Sequence, residues 1–522
     1  NKAFKAIWSD VRQSFVTTSE IQSSHGKRSK ASVSLSVATV LLATSGLVSA
    51  AYVETGTLGD KASWETAEYN YNWGLGAMNA SSAYALGFYG QNTTTGAMDS
   101  GAWLGNPDLD TPRITATHVT GVYGSSGNRY PQSIYATIQK GVVPTAAEGQ
   151  PFTEGEEFDV KGDYTLGLND AHGTQVTGVI GAERNGEYGH GVAFKANVVV
   201  GNTGATDNNN YGPFQDYNYY FKGYKALADA VNAGNGEYRG GMVNNSYGTN
   251  TKIYSSGGHR LTPDEMSELL AGSGKYDRAS AAYAVTFSGD YSFLGLNDVP
   301  GADQYSTNPS AFEWEYMYFK LKYGDKPSFL DGAYDAVKGT NVILSWAAGN
   351  QDRGTPYLKG LYPYFHPEAE KNWLNAVGVM QTRGDNDQYM QATYCKAGLA
   401  KWWSMSGPTA YPGIGTTYVT TDLENGRLTT TGFNGTSASD PQISGAFTVL
   451  QSRYPSMTAI QVKDVMYTTA SHIGANGQPF KNWTAAEGTP DVIYGWGMPD
   501  LDKGMYGPGQ FLDHFEYRLS EP

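Results

Sequence analysis

The sequence contains almost no cysteine. Cys395 is the one cysteine among 522 residues, so no disulfide bond can form within the chain. Disulfide bonds are typical of proteins that fold in oxidising compartments. The chain therefore belongs either in a reducing compartment or among proteins that are exported without disulfide bonds.

Basic residues are also scarce. The chain has 36 Lys and Arg against 50 Asp and Glu, which gives a formal net charge of -14 at pH 7. Nonspecific nucleic-acid binding depends on Lys and Arg that neutralise phosphates. The charge therefore argues against a nucleic-acid partner and favours an extracellular protein.

Long apolar runs are rare as well. One such run, residues 33–48, is interrupted by Ser and Thr and follows Lys27, Arg28 and Lys30. It ends in small residues up to Ala50, which is the pattern of a cleavable signal rather than of a membrane-spanning helix. We expect cleavage after Ala50 and export of the protein, with residues 1–50 removed and residues 51–63 forming an N-terminal linker.

The segment ahead of this apolar run is unusually long. Residues 1–27 resemble the extended signal-peptide region of Gram-negative autotransporters, and the alternative is a longer basic n-region. The resemblance implies export through the periplasm to the cell surface or the medium. It also implies an outer-membrane translocator barrel as a partner in the full-length protein. We see no C-terminal run of alternating strands and expect this chain to be the passenger.

Glycine and aromatic residues, by contrast, are abundant. The chain has 65 Gly, 38 Tyr and 11 Trp, and this composition suits a loop-rich globular protein. A helix pattern that follows Ser328 leads directly into a buried-strand pattern at residues 341–346. This order of helix and strand predicts an α/β fold with a mostly parallel sheet.

Residues 434–441 form a glycine turn that opens into a helix. The helix has an apolar face with the spacing i, i+3, i+4, i+7, formed by Ile443, Ala446, Phe447 and Leu450. The backbone N–H of Ser437 would lie among the unpaired donors of the helix N-terminus, where a negative charge is stabilised. Ser437 is therefore either an ordinary N-cap residue or a nucleophile beside an oxyanion site.

Two further segments carry a carboxylate and an imidazole. Asp99 ends a Thr-rich strand pattern and is followed by Gly101, and the carboxyl ends of parallel strands are where sites form. His172 precedes Gly173 at the start of a helix that has small residues on one face. The alternatives are an Asx-turn for Asp99 and a satisfied structural histidine for His172.

These three segments resemble the Asp, His and Ser motifs of the subtilases, the subtilisin-like serine peptidases. The order Asp99, His172, Ser437 is that of subtilisin and differs from the order in chymotrypsin and in the α/β-hydrolases. The resemblance implies a subtilisin-like, doubly wound, mostly parallel sheet with helices on both faces and surface insertions. It covers residues 64–509, with insertions at about 110–165 and 249–327 and a C-terminal linker at 510–522.

The resemblance also assigns other site residues. It implies that the side-chain amide of Asn350 and the backbone N–H of Ser437 form an oxyanion hole. It implies a substrate-binding role for two short segments, which comprise Ser246, Tyr247, Gly248, Ala347, Ala348 and Gly349. We expect no cofactor and no metal, and we identify no calcium site.

The expected reaction is hydrolysis of peptide bonds in protein or peptide substrates. A serine hydroxyl needs a base that titrates near neutral pH and a group that holds the tautomer of that base, and an acyl-enzyme follows from its attack. Asp440 departs from the family pattern. If Asp440 faces the cleft, its charge raises the pKa of His172, and we expect activity above about pH 7.

Two other functions remain open at this stage. One is a subtilase-shaped adhesin or binding passenger whose cleft is blocked by residues 249–327. The other is an esterase, which is disfavoured because residues 435–439 lack the second glycine of a Gly-x-Ser-x-Gly elbow.

Overall fold

The computed structural model describes most of the chain beyond the signal region. The described residues are 4–9, 14–19, 52–128, 151–163, 172–187, 189–203, 216–247, 327–350, 354–381, 388–391, 394–409, 416–422, 427–510 and 512. Gly248 and a capped helix predicted near Thr262 lie outside these residues.

The strands are numbered in chain order. They are β1 (Phe4–Ser9), β2 (Ser14–Ser19), β3 (Thr94–Asp99), β4 (Ile114–Ala116), β5 (His118–Val122), β6 (Gly127–Asn128), β7 (Pro151–Phe152), β8 (Glu157–Lys161), β9 (Asn197–Asn202), β10 (Gly241–Asn245), β11 (Val342–Ala347), β12 (Trp373–Gln381), β13 (Tyr389–Met390), β14 (Ser404–Pro408), β15 (Thr416–Asp422) and β16 (Arg427–Phe433).

The α-helices are numbered in the same way. They are α1 (Ala67–Asn70), α2 (Trp73–Ala77), α3 (Ala80–Ala85), α4 (His172–Gly181), α5 (Tyr217–Asn235), α6 (Phe329–Val337), α7 (Leu358–Phe365), α8 (Thr436–Arg453), α9 (Ala459–Thr468) and α10 (Leu501–Gly504). Within the described residues, no helix is both long enough and apolar enough to cross a membrane.

The main sheet has eight strands in the order β13-β12-β11-β10-β3-β9-β4, and β14 pairs with β12. All its pairs are parallel except β12 with β13. Four two-strand pairs, such as β5 with β8, lie outside it among the described residues. The predicted α/β fold with a mostly parallel sheet is confirmed.

Helices cover both faces of this sheet. In β11, Val342, Leu344 and Trp346 pack into a cluster with helices α5 and α6, whereas Ile343 packs into a second cluster with α8 and α9. Alternate residues of a strand point to opposite faces, so both faces of β11 are buried. The uninterrupted apolar sequence of this strand reflects that double burial.

Capping residues mark the starts of two helices. Ser328 and Asp331 form a reciprocal capping box at the start of α6. Thr458 and Gln461 form the same arrangement at the start of α9. Each box satisfies two N–H groups at the helix start, which explains why these boundaries are readable from sequence.

The segment at residues 110–165 differs from the expected surface excursion. Its strand β4 joins the main sheet beside β9, in parallel register. Only the later part of the segment forms separate strand pairs, β5 with β8 and β6 with β7. β4 is three residues long, too short for an alternating pattern to be recognised.

Candidate active site

A small hydrophobic cluster joins the three sequence motifs. Ala97 of β3, Val176 of α4 and Ala438 of α8 are all buried in it, together with Phe433. Helices α4 and α8 also pack against each other and against β3. The chain segments that carry Asp99, His172 and Ser437 are therefore held together by apolar contacts.

Asp99 is the last residue of β3 and is fully buried. Its Oδ1 accepts a hydrogen bond of 2.7 Å from the backbone N–H of Ser100. The prediction that Asp99 lies at the carboxyl end of a strand is confirmed. Burial and this backbone donor fix the direction of the carboxylate.

His172 is the first residue of α4 and contacts Asp99 directly. The distance between His172 Nδ1 and Asp99 Oδ1 is 2.8 Å. The carboxylate can only accept, so Nδ1 carries the proton and the neutral ring presents Nε2 as a base. The imidazole side chain is 26% exposed and its edge meets the ring of Phe433, with centroids 5.4 Å apart.

The residue after His172 must be glycine. A Cβ atom on Gly173 would lie 2.0 Å from the carbonyl oxygen of Gly101. The backbone N–H of Gly173 also donates to the hydroxyl of Ser100, at 2.9 Å. This close approach brings the start of α4 against the residues that follow Asp99.

Ser437 lies in the first turn of α8. Gly435, immediately before this helix, has a φ of 85°, a conformation that glycine adopts without strain. The Ser437 hydroxyl donates a hydrogen bond of 2.6 Å to the backbone carbonyl of Ser246. The predicted helix start is confirmed, and the hydroxyl bonds to the backbone that follows β10.

The helix itself is more deeply buried than its apolar stripe indicated. Every residue from Ala438 to Gln451 is buried, including polar residues that the stripe left on the other face. For example, the Gln442 Nε2 donates to Asn72 Oδ1 at 2.8 Å. α8 is therefore a central helix that is packed on every face, and this packing fixes the position of Ser437 at its start.

Asn350 lies just beyond β11, next to the start of α8. Its Oδ1 accepts hydrogen bonds from the backbone N–H and the hydroxyl of Thr436, at 2.8 and 2.9 Å. The amide oxygen is thereby engaged, and the exposed side chain presents its NH₂ group as a donor. A Cβ atom on Gly435 would lie 2.9 Å from that nitrogen.

Thr436 is a site residue to which sequence reasoning gave no role. Besides holding Asn350, its hydroxyl accepts a hydrogen bond of 3.0 Å from the backbone N–H of Gly349. The available signal was its position inside the Gly-Thr-Ser triplet, next to Ser437. Thr436 therefore ties the Asn350 turn to the helix start.

Ala347, Ala348 and Gly349 lead from β11 to Asn350. Ala347 is paired with Ala376 in the sheet. The backbone N–H of Ala348 donates to the carbonyl of Ala376, and the carbonyl of Ala348 accepts from the backbone N–H of Tyr357. The carbonyl of Gly349 accepts from the backbone N–H of Cys395. These hydrogen bonds fix the backbone that leads to Asn350, and the substrate-binding role of the three residues stays a prediction.

The side chain of Tyr247 does not line a cleft. Tyr247 is 3% exposed, and its hydroxyl contacts the hydroxyl of Tyr224. Its ring packs against the buried ammonium group of Lys359, 4.0 Å from the ring centroid. A substrate-binding role for this residue is thus limited to its backbone, and Ser246 likewise faces the site with its carbonyl oxygen.

Asp440 does not face the cleft either, so the condition under which its charge would raise the pKa of His172 is not met. The residue is fully buried, and its carboxyl accepts hydrogen bonds from the Ser345 hydroxyl and from the Asn245 N–H. Burial, reinforced by the charge of Asp99, raises the pKa of Asp440 to about 7. The expectation of activity above about pH 7 remains a prediction.

Two sequence profiles match the chain. The profile of the subtilase family matches residues 90–497, which is more than three quarters of the chain. The profile of the extended signal peptide of the type V secretion system matches residues 1–49. The chain is therefore exported to the cell surface or beyond it, as predicted.

Individual relatives agree with the family profile. An extracellular serine protease of Serratia marcescens is 24% identical over 482 residues, which cover 89% of this chain and 36% of the relative. The serotype-specific antigen 1 of Mannheimia haemolytica is 33% identical over 178 residues, or 34% of this chain and 17% of the relative. The chain thus spans about a third or less of the length of these relatives.

Solved structures show a more distant likeness. Fervidolysin of Fervidobacterium pennivorans, a keratinolytic enzyme related to subtilisin, shares 15% identity at a TM-score of 0.41, over 85% of this chain and 48% of the other. The family assignment depends instead on the profile match over residues 90–497, within which Asp99, His172, Asn350 and Ser437 all lie. This chain belongs to the subtilase family and is an exported subtilase passenger.

Proposed function

We propose that this chain is a secreted serine endopeptidase that hydrolyses peptide bonds through Ser437, His172 and Asp99. The observation that carries the proposal is the 2.8 Å contact between His172 Nδ1 and Asp99 Oδ1 beside the helix start that holds Ser437. The contact selects the tautomer in which Nε2 can accept a proton. Membership of the subtilase family supports the same reaction.

The reaction starts with the Ser437 hydroxyl. In the resting arrangement it donates to the Ser246 carbonyl, and the proposed reaction requires rotation about its Cα–Cβ bond to direct it to His172 Nε2. His172 accepts the proton as the oxygen attacks the substrate carbonyl, and Asp99 stabilises the resulting imidazolium. His172 then protonates the leaving amine, and water hydrolyses the acyl-enzyme by the same route.

The tetrahedral oxyanion needs donors that are already in place. We assign this role to the Asn350 NH₂ group, whose orientation is set by two hydrogen bonds from Thr436 to its oxygen. The backbone N–H of Ser437 in the first turn of α8 supplies the second donor. These groups and the triad supply all the chemistry of the step, so the proposed reaction requires no cofactor.

The proposed substrates are proteins or peptides in extended conformation. The backbone that follows β10, at Ser246 and Tyr247, is the segment that would pair with them, while its side chains stay buried. The type V signal also supports an outer-membrane translocator as a partner of the full-length protein.

The test compares the secreted form, from residue 51, with its Ser437→Ala variant on casein. We expect cleavage by the parent, loss of cleavage in Ser437→Ala, and new termini at internal peptide bonds on sequencing of the products. Ser452→Ala is the matched control, because Ser452 lies in the same helix and its hydroxyl donates to the Val449 carbonyl within that helix. Equal activity of Ser437→Ala and the parent would refute the proposal.

A fluorophosphonate probe separates the peptidase from the two alternatives. It should label the parent and the Ser452→Ala variant but not Ser437→Ala. A folded parent that resists labelling would favour a binding passenger. A labelled parent that cleaves only esters would favour an esterase.

A further inference from the structure

A row of three polar contacts connects one face of α8 to the end of β10. Ser437, Asp440 and Ser444 follow one another at helical spacings of three and four, so they share one face of the helix. Their partners are three consecutive residues at the end of strand β10 and just after it. In order, Ser437 Oγ contacts Ser246 O at 2.6 Å, Asp440 Oδ2 contacts Asn245 N at 3.2 Å, and Ser444 Oγ contacts Asn244 Nδ2 at 3.2 Å.

Asp440 is the central member of this row and the only ionisable one. Its second carboxyl oxygen accepts a hydrogen bond from the hydroxyl of Ser345, which lies in the adjacent strand β11. One buried side chain therefore connects α8, β10 and β11. The same strand β11 leads through Gly349 to Asn350, whereas the chain after β10 leads to Ser246.

We propose that Asp440 is a positioning residue that fixes the first turn of α8 against the ends of β10 and β11, and thereby places Ser437 relative to Asn350 and Ser246. The inference rests on the proposed function for its catalytic readout. Asp440 does not touch the substrate, because it is fully buried. It acts through the backbone of Asn245 and the side chain of Ser345.

The hydrogen-bond donors around Asp440 explain why a carboxyl group suits this position. Two donors, the Asn245 N–H and the Ser345 hydroxyl, reach the residue from different strands, and a carboxyl group offers an acceptor oxygen to each. Removing both acceptors leaves the Asn245 N–H buried without its partner, which is costly. An asparagine keeps one acceptor for that N–H, and its NH₂ can donate to the Ser345 oxygen instead.

The kinetic test uses Asp440→Ala and Asp440→Asn with a soluble peptide substrate. In Asp440→Ala we expect kcat to fall by about tenfold to a hundredfold while KM stays within about threefold, because a small displacement of the nucleophile affects the chemical step. In Asp440→Asn we expect kcat within about threefold of the parent. Asp464→Asn, at a buried aspartate in α9, is the matched control and should leave kcat unchanged.

A second readout does not depend on activity. Hydrogen exchange of the peptide that covers residues 241–247 should be faster in Asp440→Ala than in the parent and should return towards the parent rate in Asp440→Asn. If Asp440→Ala does not fold, Asp440→Ser replaces it in both experiments. Its single hydroxyl can keep one of the two contacts, so we expect an intermediate loss of kcat.

The outcomes separate the two proposals. A parent that cleaves casein no better than Ser437→Ala refutes the peptidase function, and hydrogen exchange then decides the role of Asp440. An active parent with unchanged kcat and unchanged exchange in Asp440→Ala refutes the positioning role. A folded Asp440→Asn that is as impaired as Asp440→Ala also refutes it.

Discussion

Two of the His–Asp pairs among the described residues differ sharply in their surroundings. Asp99 is fully buried beneath His172, whereas His118 and Asp159 form a pair at 2.6 Å whose side chains are 55% and 67% exposed. A carboxylate that is fixed by burial can hold the tautomer of its partner, while an exposed pair contributes little. The two pairs therefore offer a matched comparison at the scale of single residues.

We predict that Asp99→Asn lowers kcat by about 10³- to 10⁴-fold, because an amide in place of the carboxylate favours the wrong tautomer of His172. The measurement is peptide hydrolysis at saturating substrate, together with circular dichroism to confirm folding. Asp159→Asn should leave kcat within about twofold. A similar effect of the two substitutions would contradict the assignment of Asp99.

We predict that Asn350→Ala lowers kcat by about 10²- to 10³-fold with a small change in KM, because an oxyanion donor acts mainly on the transition state. Steady-state kinetics on a peptide substrate measure both constants. A rise in KM at constant kcat would show instead that Asn350 binds the substrate in its ground state.

Thr436→Val is predicted to impair the same step by a smaller factor. The substitution removes the hydroxyl that contacts Asn350 and Gly349 but keeps the backbone N–H and the shape of the side chain. We expect about a tenfold loss of kcat, and little further loss when it is combined with Asn350→Ala. Thr448→Val, in the same helix, is the control, because the Thr448 hydroxyl donates to the Ser444 carbonyl within that helix. Additive losses would show that Thr436 acts independently of Asn350.

At the scale of elements, the capping boxes give a prediction about stability alone. Ser328→Ala removes the side chain that accepts the Asp331 N–H at the start of α6. We expect the free energy of unfolding to fall by about 1 kcal/mol, with casein cleavage at the native temperature unchanged. Urea denaturation in a Ser437→Ala background avoids self-digestion. A Ser328→Thr variant should recover most of the loss, and equal destabilisation by both substitutions would contradict a capping role.

The sequence predicted those elements that have local physical causes. The starts of α6 and α9 depend on capping residues within four positions, and the burial of β11 is visible in its apolar run. The side chain of Tyr247 and the strand β4 were not predictable in this way. Tyr247 is buried because Tyr224 and Lys359, which are distant in sequence, surround it, and β4 is defined by its pairing with β9.

In the candidate site, too, features with local causes were predictable and features that depend on distant elements were not. The order and local context of Asp99, His172 and Ser437 are sequence properties, and the contact between the first two follows the prediction. The role of Asp440 could not be read from its position in the helix start, because its exposure depends on strands β10 and β11 packing over it. Helix periodicity gave no information on that packing.

At the scale of the whole molecule, Asp440 makes stability depend on pH. Its pKa is raised to about 7 in the folded protein, above its value near 4 in an unfolded chain. Between these values the folded state holds a proton that the unfolded state has released, so stability falls as pH rises and is constant above pH 7. The Asp440→Asn substitution removes this dependence.

We therefore predict that the stability of the parent, relative to Asp440→Asn, falls by roughly 3 kcal/mol between pH 5 and pH 8. Urea denaturation of both chains in the Ser437→Ala background measures the difference. Asp108, whose pKa burial also raises to about 7, is present in both chains and cancels from the comparison. Parallel pH profiles for the two chains would contradict the prediction.

The parallel sheet has one more consequence, which concerns the cell that makes the protein. Strand β3, which ends in Asp99, pairs with β9 and β10, and β10 pairs with β11, so adjacent strands come from remote parts of the chain. The nucleophile enters this arrangement only with α8, far downstream. Whichever end leaves the cell first, a partly exported polypeptide lacks either the base or the serine. If both residues act in hydrolysis as we propose, such a polypeptide would have no activity until both segments have crossed the same membrane.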